Sequence, residues 1–124
     1  MAKRTASRLA PALFDAHLCI AEYLLYGPVP YQEVIDDAEQ LLAQADRSGA
    51  LRGVAFARAL IGEAAMLMGD LERAESELTE AVELHHDTDA AAGEAHALQR
   101  LAEIRLAQGD AAEARRLLQR ALPL

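Results

Sequence analysis

Apolar residues recur at spacings of three and four along almost the whole chain, the signature of amphipathic helices, and glycine and proline interrupt the pattern at a few places. The interruptions predict six helices over about 7–26, 31–47, 50–68, 71–86, 89–108 and 110–122. Pro28 and Pro30 in "YGPVPY" lack amide donors and separate the first helix from the second. Gly49 in "RSG", then Gly69 and Gly109, supply left-handed caps, and Asp70 and Asp110 are placed to accept bonds from the first free amides of the following helices. Connections this short fold successive helices into antiparallel pairs, giving three helical hairpins.

The small residues show how closely each hairpin packs. Gly62 and Ala74 flank the closed end of the second hairpin, Ala102 and Ala114 repeat the arrangement in the third, and Ala21 and Ala38 do so in the first with a longer loop between. Aligned on these positions, "IAE" at 20–22, "IGE" at 61–63 and "LAE" at 101–103 fall 41 and 40 residues apart. The partner helices carry Ala38, Leu42 and Ala45, then Ala74, Leu78 and Ala81, then Ala114, Leu118 and Ala121, at steps of 36 and 40. Agreement on both helices of three hairpins predicts an all-α solenoid. Residues 1–124 form a single domain in this reading, with repeats at about 7–48, 50–86 and 89–122.

These residues resemble a known family. Aliphatic, then Gly or Ala, later Gly-Asp, then Ala, Leu and Ala is similar to the tetratricopeptide repeat, most specifically in "LIGEAAMLMGDLERAESELTEAVEL", residues 60–84. Arg58 and Ala65 stand where the family has large aromatics, no proline closes the loop at "HHDTDA", and the spacing near forty exceeds the usual thirty-four. That combination resembles the long repeats of bacterial signal-responsive transcription regulators of the LuxR type. The resemblance implies a right-handed superhelix that binds protein or peptide without catalysis, as a sensor or docking region.

Composition narrows the function further. Hydrophobic residues make up 52% of the 124 but aromatics only 4%, which suits helix packing over a β-sandwich. The net charge is -8, and because Lys3, Arg4 and Arg8 lie at the start, the body from residue 9 carries -11, which disfavours direct nucleic acid binding. Eleven arginines against one lysine, with abundant alanine, fit a GC-rich bacterial coding sequence. A lone Cys19 allows no internal disulfide, and no apolar run is long enough for a membrane span, so the expected setting is the cytoplasm.

Four groups of residues are candidates for function. Glu22, Glu63 and Glu103 hold equivalent places on the first helices of the repeats and would form an acidic ladder on a concave face, with Leu18, Leu25, Ala59, Met66, His96, Gln99 and Leu106 nearby. A plainer account makes each Glu a solvated helix former. His85, His86, Asp87, Asp89, Glu94 and His96 cluster around one loop, and a metal-dependent enzyme using His85, His86 and His96 is the catalytic alternative. Adjacent histidines diverge on a helix and no fixed ligand spacing appears, so a dipole-favoured His at a helix end and an Asp N-cap explain the same letters, with neither metal nor cofactor. In "ERAESELTEAVE", Arg73 and Glu77 are spaced to pair along one helix. Finally, "RRLLQRALPL" ends on apolar residues, which fits either a homodimer through the last helix or a repeat array that continues.

Overall fold

The computed structural model describes Leu25 and residues 27–123, and these form five helices with no strand among them. They are α1 (Tyr31–Ser48), α2 (Leu51–Leu67), α3 (Leu71–Asp87), α4 (Ala91–Ala107) and α5 (Ala111–Ala121). The expected helix over 7–26 lies outside the described residues apart from Leu25, which is helical and buried. The other helices start and stop within two residues of the expected boundaries.

Every turn between these helices is built alike. Gly49, Gly69, Asp89 and Gly109 take positive φ at 70°, 86°, 55° and 81°, each twenty residues after the last. In each case the left-handed residue donates its N–H to the carbonyl three back, and the next residue donates to the carbonyl five back, as Gly69 does to Met66 and Asp70 to Ala65. This is the Schellman closure, which satisfies carbonyls that the ended helix leaves free. Asp70 and Asp110 then accept from the amides of Arg73 and Glu113 at 3.3 and 3.1 Å. Asp89 corrects the expected helix start at 89: it occupies the glycine position, and Ala90 stands at the cap without a side-chain bond. Asp tolerates the left-handed region better than most residues but still carries a Cβ there.

Each of α2, α3 and α4 is a seventeen-residue helix followed by a three-residue turn, which is why the hairpin repeat is forty residues long. Consecutive helices pack on one another, and α2 also packs on α4. That arrangement makes α2 apolar nearly all round, whereas α1, α3 and α5 bury one stripe each. One face of α2, with Leu60, Ile61 and Ala64, joins Leu25, Val34, Ile35 and Ala38 in a first core cluster. Its other face, with Ala59 and Ala65, joins Ala74, Leu78 and Val82 of α3 and Leu98 and Leu101 of α4 in a second, which runs on to Ala114 and Ala121 of α5. The helices of the α2–α3 hairpin approach closely at Gly62, where an added Cβ would lie 2.7 Å from Leu78 Cγ and 3.3 Å from the Ala74 carbonyl oxygen.

The two described hairpins fill one position with different chemistry. Arg58 of α2 reaches Glu77 and Glu80 of α3, both at 3.1 Å, whereas forty residues on Leu98 and Leu117 are both buried in the second core cluster. The Arg73 to Glu77 pairing along α3 does not form. Glu77 is taken by Arg58, and Arg73 reaches back to Glu39 of α1 at 2.5 Å.

Candidate functional site

The contact between α2 and α4 brings the sequence's candidates together. Glu63 on α2 is 7% exposed, so its carboxylate needs partners inside the protein. His96 on α4 hydrogen-bonds to it through Nε2, and Arg100, one turn later on the same face, sets its Nε 3.8 Å from the same oxygen. The other end of that guanidinium turns outward, with Nη1 2.6 Å from Glu103. Glu63 and Glu103 are therefore joined through Arg100. The first sits within the junction, and the second, with a half-exposed side chain, faces outward.

The remaining proposed contact residues divide in the same way. Leu25 and Ala59 are buried in the two core clusters, Met66 and His96 are half-buried, and Gln99 and Leu106 are exposed on α4. Leu18 and Glu22 lie outside the described residues, as does Ala21. Thus Gln99, Glu103 and Leu106 are the described members of the set open to a partner.

The histidines have separate surroundings. His85 is buried against α4, where Gly93 makes room for it: a Cβ at Gly93 would lie 2.5 Å from the imidazole. Gly53 holds the equivalent place forty residues earlier, where a Cβ would meet that of Ala45 at 3.1 Å. A glycine as the third residue of α2 and of α4 is thus a junction signal, legible as a forty-residue spacing that the alignment on small hairpin residues passed over. His86 points outward and bonds Glu94 at 3.1 Å, while His96 is held by Glu63. Among the described residues, no group of three or more His, Cys, Asp or Glu side chains could hold a metal ion.

Burial pushes the His85 pKa below its ordinary value; the neighbouring His96 adds to this and Glu94 opposes it. The folded protein therefore takes up a proton there less readily than the unfolded chain. The stability associated with neutral His85 is fully present above a pH of about 6.5, the usual unfolded pKa, and is lost as the pH falls from there through the depressed folded value. Replacing His85 by Leu is expected to flatten the fall in urea midpoint between pH 7.5 and 5.5, and equal falls in both proteins would contradict this assignment.

A second tie crosses the junction on the outside, where Arg105 of α4 meets Glu75 of α3 at 2.6 Å. The bond to Arg105 holds the Glu75 carboxyl below its usual pKa and raises that of the guanidinium in return. Both groups are partly solvated, so the pair contributes roughly 0.2–1 kcal/mol. Glu75 of α3 and Glu63 of α2 thus both contact side chains of α4.

Hairpins of uniform length, close Gly and Ala contacts within them, and stacking of one first helix on the next describe a particular repeat. The sequence model of the tetratricopeptide repeat matches residues 54–124, more than half of the chain. The chain belongs to the tetratricopeptide repeat family. Comparison with curated proteins found no match, and comparison with solved structures found none. Tetratricopeptide repeats are typically noncatalytic and generally mediate contacts between proteins, and a noncatalytic binding module is consistent with that. Among the described residues, no helix is long and apolar enough to cross a membrane.

Proposed function

We propose that this tetratricopeptide domain is a noncatalytic module that binds protein or peptide, built as three hairpins in a right-handed superhelix over about 7–48, 50–86 and 89–122. Its family membership carries the reading, and the exposed run of Gln99, Glu103 and Leu106 on α4 supplies a surface for it. Glu22 and Leu18 are the members of that set expected in the first repeat, outside the described residues. The acidic balance of the chain favours a partner with basic groups. Its long repeats further suit the sensor or docking region of a bacterial cytoplasmic transcription regulator of the LuxR type. A reading frame that joins it to an ATPase module and a helix-turn-helix segment would support that context, and a frame lacking both would reject it.

The binding role is tested with the full chain immobilised against a panel of helical peptides, each paired with its charge-reversed form. Basic members should be retained, and Glu103→Lys should weaken them by about tenfold or more, as expected for loss of a central charged contact. A panel of which no member is retained would reject the binding reading. Homodimerisation is a second reading, favoured by the exposure of Leu118 and Leu122 on the α5 side. Sedimentation from micromolar concentrations upward tests it, and a strict monomer rejects it.

A further inference from the structure

The forty-residue step relates a covered surface to an open one. On the α2–α3 hairpin, Ala59, Glu63, Leu78 and Val82 are buried in the second core cluster or against α4. Their equivalents on the α4–α5 hairpin are Gln99, Glu103, Leu118 and Leu122. Leu78 is 0% exposed and Val82 5%, whereas Leu118 is 41% and Leu122 83%. The last described hairpin thus presents the face on which, one repeat earlier, a helix is seated.

Charge specifies more about a helix suited to that face than its apolar stripe does. Glu63 is met by His96 and Arg100, four residues apart on α4, and Glu103 repeats that carboxylate. Glu75 is met by Arg105, but forty residues on the acid is replaced by Arg115. We propose that the face formed by Gln99, Glu103, Leu106, Arg115, Leu118 and Leu122 docks an amphipathic helix carrying a basic pair four residues apart and an acidic residue five positions beyond. The helix lies along α4 and α5 as α4 lies along α2 and α3. Apolar contact with the leucines supplies area, Glu103 accepts from the basic pair, and Arg115 selects the acidic residue. This names the partner of the protein-binding reading and rests on it.

The probe is a synthetic peptide of residues 91–107 with the change Arg105→Glu, and the comparison is the unchanged 91–107 peptide, which sets Arg105 against Arg115. Titrated into the full chain and followed by fluorescence anisotropy, the changed peptide should bind at least about tenfold more tightly. Arg115→Glu in the full chain should invert that preference, and Glu103→Lys should weaken both peptides. Both residues are exposed, so neither variant should alter the circular dichroism of the fold. Equal affinities, or a preference that survives Arg115→Glu, would overturn the proposed charge pattern while leaving the protein-binding reading intact. Binding of neither peptide overturns the docking helix, and the panel above then decides whether the broader reading falls with it. A chain that dimerises at the same concentrations and excludes the peptide would also overturn it, because the occupant would then be a second copy.

Discussion

Glu63→Lys is expected to destabilise the domain by about 3 kcal/mol, whereas Glu103→Lys, forty residues on, should cost no more than about 1 kcal/mol. The two glutamates hold the same repeat position but differ in surroundings. Lysine at 63 would bring an ammonium group into the α2–α4 contact beside His96 and Arg100, leave the histidine without its acceptor, and add a like charge to a buried place. Removing one member of a buried ion pair typically costs about 3–5 kcal/mol, and His96 and Arg100 retain enough exposure to keep this case near the lower end. At 103 the side chain is half exposed and its one ion pair, with Arg100, is solvated. Urea unfolding of both variants at pH 7 measures the contrast. Equal midpoints would mean that Glu63 is not held in the junction.

Gly62→Leu is expected to cost about 1–3 kcal/mol, toward the upper end, because an added Cβ at this position already lies 2.7 Å from Leu78 Cγ. Helix propensity returns at most about 1 kcal/mol when glycine is replaced inside a helix, which does not offset the overlap. A double-mutant cycle identifies the cause. Leu78→Ala alone should cost roughly 2–5 kcal/mol as a cavity in the second core cluster. In that background the main obstacle to Gly62→Ala is gone, so the substitution should become neutral or stabilise by up to about 1 kcal/mol. Additive effects across the cycle would show that Gly62 does not meet Leu78, and the assigned hairpin packing would be wrong.

Much of this architecture was legible because it depends on residues with few alternatives. Gly69 and Gly109 could be read as stops because a left-handed residue is needed there, and Asp70 and Asp110 as starts because their carboxylates reach the next free amides. Asp89 was harder to read. It fills the same backbone position with a residue better known as an N-cap, and only the twenty-residue interval from Gly69 to Gly109 marks its place.

The site is less legible because a charged residue in a sequence does not report its own exposure. Glu63 looked like a ladder residue on an open face, yet its burial depends on α4, and the clue was His96 and Arg100 one turn apart on that helix. Spacing along α3 similarly favoured Arg73 with Glu77. Contacts between helices prevailed because Arg58 and Glu39 lie across the packed surfaces. Periodicity within one helix cannot rank a neighbour on the same helix above one supplied by packing.

One repeat position is sealed between hairpins at Glu63, and the docking proposal opens the same position to a partner at Glu103. Backbone NMR of the full chain, titrated with the Arg105→Glu form of the 91–107 peptide, tests it most directly. Shifts centred on Gln99, Glu103, Leu106, Leu118 and Leu122, with Ala59 and Glu63 unmoved, are the predicted result. Shifts centred on α1, or spread equally over Glu63 and Glu103, would contradict it.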